Sequence, residues 1–155
     1  MQIHLTTGKG EGPTPLAAFD AALMSAGVAN YNVICLSSVI PPRGEIVRSK
    51  GTVSVEEYGR RLYVVMSQMR EARPGHWAHA GLGWMQEEST GRGLFVELHG
   101  HDRQRLERDL HSTLEAMRLH RELSYGSVET EIVGVVCREQ PVCALAVAVH
   151  ACEPW

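Results

Sequence analysis

From Asp102 to Leu123 the sequence carries Leu106, Leu110, Leu114, Met117 and Leu123 on one helical face, with arginines and glutamates over the rest. A stripe of that width has to be buried against another apolar surface, and most of the remaining sequence offers β-rich runs to receive it. Tyr31 to Leu36, Arg61 to Ser67, His76 to Trp84, Leu94 to His99, Glu129 to Cys137 and Val142 to His150 all read as strands. Polar or glycine-bearing turns separate them, including 86–92 and 138–141. A second helix begins at Thr14-Pro15, with threonine as cap and proline in the first turn. It carries an apolar stripe of Leu16, Phe19, Leu23 and Ala26 and stops at Gly27. Asp20 lies at the margin of that stripe. Two helices and five or six strands predict an α+β sandwich in which the helices cover antiparallel sheet.

No repeat, low-complexity tract or linker divides the 155 residues. One domain of residues 1–155 is expected, with about 68–70% of its unfolded surface buried. Residues 71–75 read as a helical or irregular link. Gly8-Lys9-Gly10-Glu11-Gly12 lacks the Lys-Ser/Thr ending of a phosphate loop and reads as a mobile loop near the active site.

A net charge of −3 supplies no electrostatic footprint for nucleic acid or an anionic membrane. The arginines between 103 and 108 alternate with acids, as on a solvated helix face. There is no run of membrane-spanning length and no signal-peptide pattern at the start, so no membrane partner and a cytoplasmic location are expected. The four cysteines form no CxxC pair and are expected reduced, with Cys35 a small buried apolar residue. His76-x2-His79 and His99-Gly-His101-Asp102 match no known ligand pattern, and no metal is expected.

The chemistry centres on Tyr31-Asn32-Val33-Ile34-Cys35-Leu36-Ser37-Ser38-Val39-Ile40-Pro41-Pro42. A serine pair at a strand-to-loop break can be a place where a chain cuts itself. Attack of Ser38 Oγ on the Ser37 carbonyl turns the peptide into an ester. β-Elimination then leaves dehydroalanine, which hydrolyses to a pyruvoyl group. Serine pairs are also ordinary solvated turn residues, and spacing alone does not choose between these readings.

The block Asn32-x4-Ser37-Ser38-x2-Pro41-Pro42 resembles the processing site of the pyruvoyl-dependent arginine decarboxylases. Gly8-Lys9-Gly10, the stretch 16–23 and Ala26-Gly27 resemble that family's start. Gly93-Leu94-Phe95-Val96-Glu97 resembles its central acidic strand, and Cys143-Ala144-Leu145-Ala146 its last strand. The resemblance runs in register along nearly the whole chain.

The resemblance implies a four-layer αββα sandwich with antiparallel sheets, a homotrimer with active sites between subunits, and self-cleavage into residues 1–37 and 38–155. Ser38 is then the source of the pyruvoyl cofactor, Ser37 the departing end, and Asn32 an assistant to processing. Asn32 also reads as a strand-entry residue satisfied by local backbone. The implied reaction converts L-arginine to agmatine, a polyamine precursor, and CO2 through a Schiff base on the pyruvoyl carbonyl, an electron sink like pyridoxal phosphate. Glu97 is the implied proton donor, in a strand expected to be buried, where apolar surroundings raise a carboxyl pKa. Glu87 and Glu88 are the fallback acids, otherwise solvated turn charges. Asp20 is the implied partner of the guanidinium, which a carboxylate binds through two parallel hydrogen bonds, with Leu16 and the backbone near Tyr31 as pocket wall. Ala29 stands where close relatives are expected to carry glycine. Two other readings remain: the same chemistry on another amino acid, and an uncleaved, non-catalytic trimeric relative acting as a binding module.

Overall fold

The structure is a computed structural model that describes residues 1–49 and 55–155. In chain order its elements are β1 (Gln2–Glu11), α1 (Pro15–Ala26), β2 (Asn32–Cys35), β3 (Val39–Ile40) and β4 (Glu45–Arg48), then a short 3-10 turn at Val55–Glu57. They continue with β5 (Arg61–Glu71), β6 (Trp77–Gln86), β7 (Gly93–Gly100), α2 (Arg103–Arg118), β8 (Glu129–Val136) and β9 (Val142–Glu153). The strands form two sheets, one ordered β2-β5-β9-β1-β4 and the other β3-β7-β6-β8.

Four layers follow from which side of each strand is apolar. In β9 the residues Cys143, Leu145 and Val147 face α1, while Ala144, Ala146 and Ala148 face the second sheet. Both sides are buried, so this central strand reads as one continuous apolar run. Between the sheets, Ile3, Leu5, Val65, Ala80, Leu82, Trp84 and Phe95 complete the middle core. On the far side, Leu106, Leu110 and Leu114 of α2 pack on Met85, Leu94 and Val96. The order is therefore helix, sheet, sheet, helix.

The second sheet is antiparallel, as expected. The first is mixed: edge strand β2 runs parallel to β5, and edge strand β4 runs parallel to β1. Each reaches its neighbour through a connection too long for a hairpin, and only hairpin-like connections enforce antiparallel pairing.

Helix α1 corrects the expected stripe. Thr14 caps it, accepting the Ala17 N–H at 3.1 Å, and Gly27 ends it at φ 74°. Its fully buried residues are Ala18, Ala22 and Ala26; Phe19 and Leu23 are half-buried and Leu16 is 65% exposed. The cause is the glycine run that had read as a loop, which is strand β1. A Cβ on Gly8 would lie 2.1 Å from the Ala22 carbonyl oxygen, and one on Gly10 2.1 Å from that of Ala18. Glycine lets backbone meet backbone, and only alanine fits the helix face against it.

Three smaller differences remain. Helix α2 ends at Arg118 rather than near 123. Beyond it the Leu119, His120 and Arg121 amides bond three residues back, and this tighter winding lets Leu123 and Tyr125 turn onto the same core. Of the two readings for residues 71–75 the irregular link holds and the helix does not: Glu71 ends β5, and the rest closes in a turn with His76 N–H donating to Arg73 C=O. Cys35 is exposed, because β2 is an edge strand with little packed over it. No described helix is long and apolar enough to cross a membrane.

Candidate active site

Strand β2 belongs to the first sheet and β3 to the second, so the chain must cross between layers within residues 36–38. The Leu36 amide still donates to Val64 C=O of the first sheet, at 2.8 Å. Two residues later the Ser38 carbonyl accepts the Phe95 N–H of the second sheet, also at 2.8 Å. The turn between these anchors puts Ser38 at φ 63°, the left-handed region. For a residue with a side chain that conformation costs on the order of 1–3 kcal/mol. Backbone strain is thus stored at the second serine of the pair.

Among the described residues, the Ser38 hydroxyl hydrogen-bonds to Glu97. Glu97 lies two residues beyond Phe95 on β7 and therefore on the same side of the strand. Its carboxylate receives the Ser38 hydroxyl, with Oε1 at 2.8 Å and Oε2 at 2.7 Å. A carboxylate so placed can take the hydroxyl proton as Oγ attacks a carbonyl carbon. Glu97 itself is exposed, which corrects the expectation of a buried acid. Beside it β3 is only Val39–Ile40, so β7 is an open edge at Glu97. Among the described residues, Glu97 is exposed and, on the side away from β6, no strand pairs with β7 beside it.

The other sequence-derived residues lie apart from this pair. Asn32 is exposed and donates through Nδ2 to the Gly59 carbonyl at 2.6 Å, not to the serine peptide. That carbonyl also accepts the Trp155 indole N–H at 2.9 Å. Tyr31 donates its hydroxyl to Glu57 and lines a cavity of about 490 Å³ with Val28, Leu62 and His4. Asp20 and Leu16, one turn apart on the exposed face of α1, have no polar contact to Ser38 or Glu97 among the described residues. Ala29 is buried at 2% exposure, and the turn into β2 is made by Asn30 at φ 68°.

The fallback acids differ from one another. Glu87 accepts from the Thr90 hydroxyl and, at 2.9 Å, from Arg92. These bonds, the one from Thr90 first, hold its carboxyl below the usual range. It is a turn-fixing residue, whereas Glu88 is exposed. Phe95 was missed by sequence reasoning, because its contribution is a backbone amide. The period-two repeat that puts it on the side of Glu97 was the available signal.

A family model described as pyruvoyl-dependent arginine decarboxylase matches residues 2–152. A protein of Halobacterium salinarum named pyruvoyl-dependent arginine decarboxylase is 40% identical over 96 residues, 62% of this chain and 59% of that protein. The match thus spans about three-fifths of that relative's length. A protein of the same name from Thermococcus kodakarensis is 29% identical over 140 residues, 90% of this chain and 87% of that protein. A solved structure titled pyruvoyl-dependent histidine decarboxylase aligns with a TM-score of 0.45 and 13% identity, over 65% of this chain and 57% of that one.

Proposed function

This chain belongs to the pyruvoyl-dependent arginine decarboxylase family, and on that premise we propose that it cuts itself between Ser37 and Ser38 and decarboxylates L-arginine to agmatine and CO2. The observation that carries the proposal is the strained Ser38 with its hydroxyl on the Glu97 carboxylate.

In this reading Glu97 accepts the Oγ proton while Oγ bonds to the Ser37 carbonyl carbon. The C–N bond then breaks, and the Ser38 nitrogen takes a proton to become a free amine. Loss of the Ser38 α-proton expels the Ser37 carboxylate from Cβ. Water replaces nitrogen at the α-carbon and ammonia leaves. The residues present fit the pyruvoyl group: a hydroxyl and its base at 2.7–2.8 Å, and a carbonyl already held by Phe95 N–H. Once formed, the group supplies an electron sink for loss of CO2. Glu97, at the same atom position, is the acid that returns a proton to the substrate α-carbon.

Asp20 binds the guanidinium, Leu16 and Tyr31 form pocket wall, and Asn32 assists processing. Ser38 and Asp20 lack contact within one chain, so a homotrimer with sites between subunits is part of the proposal. So is a cytoplasmic location, supported by four unpaired cysteines.

Intact-mass analysis tests the reading directly. Fragments 1–37 and 38–155 are expected, the second blocked by pyruvoyl, while Ser38→Ala stays whole and releases no CO2 from arginine. A wild-type protein that stays a single full-length chain under native conditions overturns the enzyme. A cut protein that releases CO2 from lysine or histidine but not arginine keeps the cut and changes the substrate.

A further inference from the structure

At the opposite end of β7 from the β3 pairing, side chains from two turns converge. Glu71, His76 and His101 each offer one ligand atom within 4.8 Å of the other two. We propose that these three residues form a binding site for a first-row divalent cation of the zinc class, in which the Arg73 guanidinium holds the cation's place when no metal is bound.

Two imidazoles and a carboxylate make a donor set that zinc accepts, with water filling the fourth position. Glu71 is anchored before any ion arrives. Its side chain is 6% exposed, and Oε1 accepts the Ala72 and Arg73 amides at 2.9 and 2.8 Å. His101 is also oriented. Its Nδ1 lies 2.8 Å from the Trp77 carbonyl, an acceptor only, so that nitrogen carries the proton and Nε2 keeps its lone pair. Ligating histidines are commonly held this way, by a carbonyl on the far nitrogen. His76 stands edge-on to the His101 ring, with centroids 6.0 Å apart.

A positive charge already sits among these donors. Arg73 donates through Nη2 to Glu71 Oε2 at 2.8 Å and through Nε to Oε1 at 3.0 Å, and its Nη2 lies 3.2 Å from His101 Nε2. The same carboxylate and the same imidazole therefore converge on one cation. The Arg73 side chain is 61% exposed, so it can swing into water and surrender the position. An ion then exchanges one cation for another beside Glu71, leaving no buried charge unpaired. The three ligand atoms lie within 4.8 Å of one another, and the exposed His76 side chain is free to close on an ion at the roughly 2.0–2.2 Å that zinc ligands take, while His101 keeps its bond to Trp77. The bound ion would clamp the β5–β6 turn to the start of α2. Glu97 is four residues from His101, about 13 Å along the strand, so this site is independent of the cut at Ser38.

Calorimetric titration of the untagged, full protein with zinc chloride tests the site. One saturable equivalent is expected, together with a rise in melting temperature that a chelator reverses. His76→Ala and His101→Ala should each weaken binding by at least about tenfold, and Arg73→Gln should tighten it. No saturable binding by wild type overturns the proposal. So does binding that survives both histidine substitutions, which would put the ion on other histidines. An unchanged affinity in Arg73→Gln overturns it as well, since guanidinium and ion would then not share Glu71.

Discussion

The pairs Ser37 and Ser38, and Glu87 and Glu97, show how one residue type acquires opposite meanings from its neighbours. Ser38 is held at φ 63° with its hydroxyl on Glu97, and Ser37 beside it is merely exposed. Glu87 and Glu97 are both strand-associated acids, yet Thr90 and Arg92 tie Glu87 into its turn, and Glu97 faces the serine. A pH prediction belongs to Glu87. Its folded pKa is lowered from 4.5, so its contribution is complete above that value and is lost as pH falls below it. Glu87→Gln should therefore lower the melting temperature at neutral pH, and the gap to wild type should close on acidification below 4.5. A gap independent of pH would show that the bonds to Thr90 and Arg92 do not favour the ionised form.

The elements were legible wherever a pattern was local. Helix α2 declared itself through Leu106, Leu110 and Leu114, and α1 through Thr14, Pro15 and Gly27. Strand β1 was hidden because Gly8, Gly10 and Gly12 imitate a loop, and their purpose is visible only once α1 lies on them. Strands β3 and β4 were also missed: at two and four residues they carry too little periodicity to stand out. The helix–strand contact yields a stability prediction. Gly10→Ala forces a Cβ to 2.1 Å from the Ala18 carbonyl oxygen, whereas Gly100→Ala meets nothing within 4 Å. The first should cost about 1–3 kcal/mol in urea unfolding, with some of it from displaced α1. The second should be close to neutral. Equal effects would show that the glycines of β1 are not there for close approach.

For the whole molecule, the division of the proposed site is the central fact. Ser38 and Glu97 meet at the edge where the two sheets adjoin, and Asp20 sits on the exposed face of α1, outside the first sheet. If sites form between copies, Asp20→Asn and Ser38→Ala proteins, each impaired alone, should complement when dissociated and reassembled together. Random mixing in equal amounts should restore about a quarter of wild-type sites, because each needs one intact Ser38 and one intact Asp20 from different chains. Release of CO2 from arginine measures this, and no recovery in verified mixed assemblies would place both residues in one chain's site. Local periodicity and short motifs write the ingredients of the layers, the serine pair and the acid of β7 into the chain. The strain at Ser38, the meeting of its hydroxyl with Glu97 across 59 residues and the open edge beside that acid all come from packing. Those facts depend on two strands entering different sheets, and no local pattern records which sheet a short strand will join.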